Sequence, residues 1–146
     1  MSNLPWLSAS AGWTPNGDGL PRRDRDVQNQ PLRLERRVYR KGLGTHAPSE
    51  IVYDLAGQYD RFAAVVGGAE DRGTVVFQVF DDGRLLFDSG VLTGLHGTKP
   101  IDISVAGAKH LRLVVTDAGD GYISDMANWA DARLHKAAEA PAAGPK

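Results

Sequence analysis

Apolar and polar residues alternate along most of the chain after Glu50, in runs too short for helices. The runs cover Ile51–Leu55, Phe62–Val66, Thr74–Phe80, Leu85–Asp88, Ile101–Val105, Leu111–Val115 and Asn128–Leu134. A period of two residues is typical of strands that bury one face. Glycine-rich turns separate the runs, and Asp82–Gly83 between two of them is a hairpin signal. The pattern therefore predicts an all-β fold, an antiparallel sandwich or barrel.

The two ends of the chain depart from this pattern. Residues 1–40 are less regular, and we predict a loop that contains Trp6, Trp13 and a turn at Asn16–Gly19, followed by a short strand near Pro31–Tyr39. After Leu134 the composition changes to alanine and proline, which cannot offset the entropy cost of ordering. We predict one domain at residues 1–134 and a flexible tail or linker at 135–146, which suggests a neighbouring domain or partner.

Composition narrows the classes of partner. With 146 residues, a formal charge of −1 and a pI near 6.4, the chain is predicted to bind neither nucleic acid nor membranes. The absence of cysteine excludes disulfides and thiolate zinc sites. No apolar run reaches membrane-spanning length, and the N-terminal residues show no export signal.

One glycine motif has the spacing of a dinucleotide-binding loop, Gly42-x-Gly44-x-x-Ala47. A nucleotide role requires a buried strand before the glycines and a helix after them. Here a basic run precedes them, and a β pattern follows Pro48. We therefore interpret the glycines as tight backbone at a strand boundary.

Several segments, in order along nearly the whole chain, closely resemble the NPCBM domain, a carbohydrate-binding module family also classed as family 51. They are Lys41–Leu55, Tyr59–Phe62, Val75–Val79, Asp88–Leu92, Leu111–Asp117 and Trp129–Leu134. The resemblance implies a jelly-roll β-sandwich of galactose-binding-domain-like type, found appended to bacterial glycoside hydrolases. It further implies a non-catalytic module that binds galactose-containing glycans and holds a structural calcium ion.

Sugar binding needs a flat apolar face and planar polar groups. The predicted carbohydrate-binding residues are His46, Asp120, Tyr122, Asp125, Asn128 and Trp129. Tyr122 lies in a carboxylate-rich loop and is the favoured platform, with Trp6 and Trp13 as further aromatics. Two structural alternatives stay open. His46 could be a partly buried imidazole that the backbone satisfies. Trp129 could be a core residue, with Ala130, Ala132 and Leu134 facing the other way.

Two further expectations depend on the resemblance. Asp131 and Asp24 are predicted calcium ligands, although Asp131 could equally pair with Arg133. Met126 and Asn128 stand where family members commonly have histidine and aspartate. This departure supports an alternative function, a protein-interaction or scaffold module that has lost sugar binding.

No arrangement of residues indicates catalysis, so we predict that the chain is not an enzyme. Ser49 lies near His46 without a nucleophile elbow, and carboxylate pairs such as Asp120 and Asp125 arise by chance in surface turns. A standalone glycosidase is the least favoured alternative. The predicted partners are a galactose-type glycan, bound weakly, and a tethered enzyme or protein partner reached through the tail. The resemblance implies an extracellular location, with a cytoplasmic one left open by the missing signal.

Overall fold

A computed structural model describes residues 1–68, 73–93, 97–118 and 125–137 of the chain. These residues form strands and turns, and none of them lies in a helix that could cross a membrane. The strands are β1 (Ser8–Ser10), β2 (Arg22–Arg23), β3 (Leu32–Leu34), β4 (Arg37–Tyr39), β5 (Gly42–His46), β6 (Ser49–Asp54), β7 (Tyr59–Gly68), β8 (Thr74–Asp81), β9 (Arg84–Asp88), β10 (Leu92–Thr93), β11 (Lys99–Ser104), β12 (His110–Thr116) and β13 (Met126–Lys136).

Two antiparallel sheets stack to form a sandwich. The six-stranded sheet has the order β1-β6-β12-β8-β10, with β9 also paired to β8, and the five-stranded sheet has the order β11-β7-β13-β5-β2. Strands β3 and β4 form a separate hairpin. The all-β antiparallel sandwich predicted from the alternation is confirmed.

The core lies between the sheets and follows the period-two pattern. Phe77 of β8 and Phe62 of β7 both contact Trp129 of β13, with the Phe77 and Trp129 rings 5.0 Å apart and nearly perpendicular. Such edge-to-face packing adds to the free energy gained from burying aromatic surface. The alternating runs of β6, β8 and β12 bury the side chains expected of them, including Ile51, Tyr53, Val79, Leu111 and Leu113.

A β-bulge interrupts the alternation of β13. The register against β7 shifts between Ala130 and Arg133, and Asp131 has a φ of 51°. The extra residue returns Ala132 and Leu134 to the core side, which Trp129 also faces. The prediction that Ala132 and Leu134 face away from Trp129 is therefore wrong, because it assumed an unbroken period of two.

The β3–β4 hairpin covers the outer face of the five-stranded sheet. Leu32 and Leu34 are buried together with Val27, outside the main core between the sheets. The single strand predicted near Pro31–Tyr39 is thus two short strands, joined by a turn where Glu35 has a φ of 54°. The hairpin forms a small second hydrophobic layer.

Strand β5 corrects part of the interpretation of the glycine motif. Gly42 is the first residue of this buried strand and has a positive φ, as expected for a strand boundary, whereas Gly44 lies inside the strand. A Cβ at Gly44 would lie 2.2 Å from the carbonyl oxygen of Arg25. Gly42 combines a φ of 145° with a similar close approach to the carbonyl oxygen of Trp129. The glycines let other backbone segments pack directly on this strand.

The predicted boundary of the domain falls inside the last strand. β13 continues to Lys136, two residues beyond Leu134. Residues 138–146 lie outside the described residues, so the flexible tail stays a prediction.

Candidate functional site

One end of the sandwich collects chain connections from both sheets. β5 and β7 end there, and β6, β8 and β13 begin there. The register shows this, since His46 pairs with Met126, Gly68 with Ala127 and Ser49 with Val115. β10 ends and β11 begins at this end as well, since Thr93 pairs with Thr74 and Lys99 pairs with Val66. We call it the His46 end. Binding sites in sandwiches are commonly built at such an end.

Trp13 and His46 form an aromatic pair in which the Trp13 side chain is exposed and the His46 side chain is buried. Their ring centroids are 5.8 Å apart and the planes are tilted by 58°. The Trp13 residue is 43% exposed, whereas His46 is 5% exposed. The His46 Nδ1 atom lies 2.7 Å from the carbonyl oxygen of Ala47. Because a carbonyl only accepts hydrogen bonds, Nδ1 carries the hydrogen of the ring, which fixes the orientation of the imidazole.

Gly12 holds Trp13 in this position. Its N–H donates to the carbonyl oxygen of His46 at 2.8 Å. A Cβ at Gly12 would lie 2.2 Å from the carbonyl oxygen of Ala47, closer than any side chain permits. The absence of a side chain therefore lets the N-terminal segment pack directly on the end of β5.

Asp125 lies at the same end and joins three strands. Its Oδ1 atom accepts a hydrogen bond from the backbone N–H of Thr74 at 2.9 Å, and its carbonyl oxygen accepts one from Ala47 at 3.0 Å. The residue is 1% exposed. Asp125 thus fixes the starts of β8 and β13 relative to the end of β5. The structure places it beside the candidate site, and its sugar contact stays a prediction.

Asn128 has a different location from the one expected of a sugar ligand. It pairs with Gly44 and Gly67 across the five-stranded sheet, and its Nδ2 donates to the carbonyl oxygen of Arg33 at 3.0 Å. The β3–β4 hairpin covers this row, so Asn128 is fully buried. The prediction that Asn128 binds sugar is therefore corrected. The Asn128 side chain anchors the β3–β4 hairpin to the sheet.

Trp129 also changes role. The residue is 0% exposed and packs between Phe62 and Phe77 in the core. No face of the indole is available to a sugar, so the assignment of Trp129 as a carbohydrate-binding residue is wrong. The alternative interpretation, core packing, is the one that the structure supports.

Two predicted residues lie outside the described part of the chain. Asp120 and Tyr122 belong to residues 119–124, between Ala118 and Asp125. Their roles stay predictions. Trp13, by contrast, was named only as an available aromatic, although it comes directly after a glycine and outside any alternating run. An aromatic in that setting is a usable signal for an exposed side chain.

The predicted calcium ligands both flank Lys41 and Gly42. The Asp24 and Gly42 backbones are hydrogen-bonded, and the Asp131 N–H donates to the Lys41 carbonyl oxygen at 2.7 Å. Burial raises the pKa of Asp24, but hydrogen bonds from Ser2, Gly42 and Lys41 outweigh it and lower the pKa overall. The carboxylate therefore stays ionised at neutral pH.

Carboxylates and main-chain carbonyls are the ligands that Ca²⁺ prefers, and this region contains both, so calcium binding here stays a prediction. Each carboxylate already faces a cation. Lys41 Nζ lies 3.2 Å from Asp24 and Arg133 Nε lies 3.7 Å from Asp131. Both cationic side chains are more than half exposed. Within the described ranges no three histidine or acidic residues converge as a metal site, so the remaining ligands would be carbonyls or water.

Ser49, the one candidate nucleophile near His46, is engaged in structural hydrogen bonds. Its hydroxyl donates to the carbonyl oxygen of Ser10 at 2.7 Å and accepts from the hydroxyl of Thr45 at 2.8 Å. The residue is buried. These contacts tie β1 and β5 to β6 and give the hydroxyl a structural role.

Solved structures with the same fold contain carbohydrate-binding modules. A family 51 module of a GH95 protein from Clostridium perfringens, in complex with methyl-galactose, is 37% identical with a TM-score of 0.83, covering 91% of this chain and 96% of that one. A second family 51 module, from Clostridium perfringens ZmpB in complex with GlcNAc, is 34% identical with a TM-score of 0.83. That match covers 92% of this chain and 31% of the solved one, which also contains INT domains.

Two curated relatives are much longer proteins. A putative endo-alpha-N-acetylgalactosaminidase of Renibacterium salmoninarum is 33% identical over 139 residues, which are 91% of this chain and 9% of the relative. Alpha-1,3-galactosidase B of Akkermansia muciniphila is 32% identical over 120 residues, 77% of this chain and 15% of the relative. The chain thus spans a small part of each.

The NPCBM/NEW2 domain family matches residues 1–135, which include every strand of the sandwich except the last residue of β13. The solved relatives are carbohydrate-binding modules, and several of them are joined to further domains. The chain therefore belongs to the NPCBM/NEW2 family and has the fold of the family 51 carbohydrate-binding modules.

Proposed function

We propose that the chain is a non-catalytic module that binds a galactose-type sugar at the His46 end. The observation that carries this proposal is the exposed Trp13 ring, held against the buried His46 where the connections of both sheets meet. An exposed indole in a fixed orientation offers the flat apolar face against which the C–H side of a pyranose stacks. His46, Asp125, Asp120 and Tyr122 are the proposed polar and aromatic neighbours.

The choice of a galactose-type sugar is supported by the relatives. One solved module of the same fold was obtained with methyl-galactose, and it is similar over nearly the full length of both chains. The two curated relatives are named for the cleavage of galacto-configured sugars. Another solved module is in complex with GlcNAc, so modules of this fold do not all bind the same sugar.

Weak binding follows from the size of the ligand. A single sugar on an exposed ring buries little surface, and association costs several kcal/mol of lost translational and rotational freedom. We propose that a tethered enzyme domain compensates by raising the effective concentration of the module near its glycan. We propose an extracellular location, which the relationship to glycoside hydrolases supports.

The test is a titration of methyl-galactose against the intact protein and three variants, with and without calcium. Trp13→Ala removes the proposed platform, and Tyr122→Ala tests the predicted one. Trp6→Ala is the matched control, because Trp6 lies 3.7 Å beneath the Arg23 guanidinium and away from the His46 end. We expect Trp13→Ala to abolish detectable binding and Trp6→Ala to retain it, with circular dichroism showing that both stay folded.

Two results would contradict the proposal. Unchanged sugar binding by the Trp13→Ala variant would show that Trp13 is not the platform for the sugar. A folded protein that binds no sugar across a glycan array would favour the protein-interaction or scaffold alternative. Turnover of aryl-glycosides would show that the chain is an enzyme.

A further inference from the structure

The positive charge of the chain is concentrated in one segment, residues 22–41. This basic segment carries eight cationic side chains against three acidic ones, a formal charge of +5. Since the whole chain has a charge of −1, the other residues together carry −6. The low overall charge therefore conceals a strongly basic region.

The arginines of the basic segment also differ from the others in their partners. Elsewhere in the described residues, four arginines each form an ion pair with an aspartate or glutamate, namely Arg61, Arg84, Arg112 and Arg133. None of the seven arginines in the basic segment forms an ion pair with a described residue. They are Arg22, Arg23, Arg25, Arg33, Arg36, Arg37 and Arg40. No ion pair within the described residues therefore neutralises the charge of these arginines.

The β3–β4 hairpin presents these side chains on a fixed support. Leu32 and Leu34 anchor its inner side, and the alternation turns Arg33 and its register partner Val38 outward. Val38 is 51% exposed. The buried leucines and the hydrogen bond from Asn128 to the Arg33 carbonyl fix the backbone of the hairpin on the sheet.

A groove of about 340 Å³ runs beside this hairpin. Its lining combines two arginines with an aromatic and two apolar side chains and one acid, namely Arg25, Arg40, Tyr39, Val38, Pro31 and Asp24. The Asp24 carboxylate is paired with Lys41, which reduces its repulsion of an anion. The Arg37 guanidinium lies 5.0 Å from the centre of the Tyr39 ring and extends the positive surface.

This combination fits an acidic sugar chain. A guanidinium matches the geometry of a sulfate or carboxylate with two parallel hydrogen bonds, and a tyrosine ring beside it packs against a pyranose. Exposed cations without acid partners bind a polyanion at little desolvation cost. The groove lies beside Gly42, at the opposite end of β5 from His46 and about 13 Å from it along the strand.

We propose that this groove is a second binding surface, which takes the sulfate or carboxylate groups of an acidic polysaccharide. The choice of a glycan over another polyanion rests on the proposed carbohydrate-binding function, whereas the need for an anion rests on the charges alone. The surface would hold the module on an acidic glycan matrix while the His46 end takes a neutral sugar.

The test measures binding of the full chain to dextran sulfate, polygalacturonate and uncharged dextran at two salt concentrations. We expect binding to one or both of the anionic polymers and none to dextran. Affinity should fall roughly tenfold or more between 50 and 200 mM salt, because binding releases counterions. The two anionic polymers distinguish sulfate from carboxylate recognition.

Two double variants separate the groove from general charge. Arg25→Gln with Arg40→Gln removes two unpaired cations from the groove, and we expect at least about a tenfold loss of affinity for the anionic polymer. Arg61→Gln with Arg112→Gln removes the same charge from paired positions elsewhere and should have little effect. Equal losses in both double variants would overturn the proposal, and so would equally tight binding of single-stranded DNA.

Methyl-galactose binding is measured on the same proteins. The Arg25 and Arg40 double variant should retain it, and Trp13→Ala should retain binding to the anionic polymer. A protein that binds neither anionic polymer overturns the second surface whatever its galactose binding. Loss of galactose binding alone contradicts only the proposed function of the His46 end.

Discussion

At the residue scale, the three tryptophans show how the same side chain serves different purposes. Trp129 is enclosed in the core, Trp6 lies beneath the Arg23 guanidinium, and Trp13 is exposed against His46. Whether a tryptophan lies within or outside an alternating run indicates whether it belongs to a strand. The face of the strand on which its side chain lies depends on packing. Burial, and not residue type, decides which of them is available to a sugar.

We expect Trp129→Ala to lower the free energy of unfolding by about 3 to 5 kcal/mol, because it leaves a large cavity between the sheets. Trp129→Phe should cost less than half as much. It keeps an aromatic ring against Phe77, and the indole Nε1 has no hydrogen-bond partner among the described residues to lose. Urea unfolding followed by circular dichroism measures both. If Trp129→Ala kept wild-type stability and lost only sugar binding, the core assignment would be wrong.

The period-two pattern was sufficient to locate a strand that has one buried and one solvated face. It located β6, β8 and β12 and the turn at Asp82–Gly83, and it placed their buried side chains correctly. It missed β5, because all five residues of that strand are buried and two are glycines. Backbone segments, and not a pattern of side chains, cover its outer face, so its sequence carries no alternation.

The candidate site was predictable to a smaller extent for a related reason. His46 was expected at the entrance to the strand at Ile51, whereas it is the last residue of β5. Trp13 contacts it from the N-terminal segment, more than thirty residues away. Asn128 was misassigned because its role depends on the β3–β4 hairpin that covers it. Contacts between distant segments leave no local signal in a single sequence.

The turn between β8 and β9 is joined to the segment that precedes β12 through one carboxylate. Hydrogen bonds from the backbone N–H groups of His110 and Lys109, at 2.9 and 3.1 Å, hold the pKa of Asp82 below its usual 3.8. Because the folded pKa is depressed, the ionised carboxylate contributes stability above the unfolded value. That contribution is lost as the pH falls through the folded pKa.

We therefore expect Asp82→Asn to be less stable than the wild type at about pH 5 and to approach it at about pH 2. Denaturant midpoints measured across this range test the prediction. Asp102→Asn is the control, since its carboxylate is exposed and pairs only with the exposed Arg61. A constant difference between Asp82→Asn and the wild type at every pH would show that the effect is not electrostatic.

The sandwich as a whole separates the two proposed binding surfaces. The exposed Trp13 ring lies at the His46 end, and the basic groove lies beside the start of β5, at the opposite end of that strand from His46. A rigid strand between them allows simultaneous occupation, which multiplies two weak affinities when both ligands lie on one glycan matrix. The two curated relatives, of which this chain spans 9% and 15%, are much longer proteins.

The region of Lys41, Asp24 and Asp131, next to the basic groove, is the predicted place of calcium binding. If Ca²⁺ binds there as the family likeness implies, saturating calcium should raise the melting temperature by roughly 5 to 10 °C for a domain of this size. Asp131→Asn should abolish most of this shift, whereas Asp102→Asn should not. Differential scanning calorimetry in calcium, in magnesium and in a chelator measures it.

Identical melting in calcium and chelator would contradict the prediction. The Asp24–Lys41 and Asp131–Arg133 ion pairs would then be the native means of neutralising the two carboxylates. Both pairs are largely exposed, so their separate contributions to stability are small, and a chain without calcium would hold this region mainly through its backbone hydrogen bonds. The salt dependence of polyanion binding also bears on this point, because a bound Ca²⁺ would add to the positive charge beside the groove.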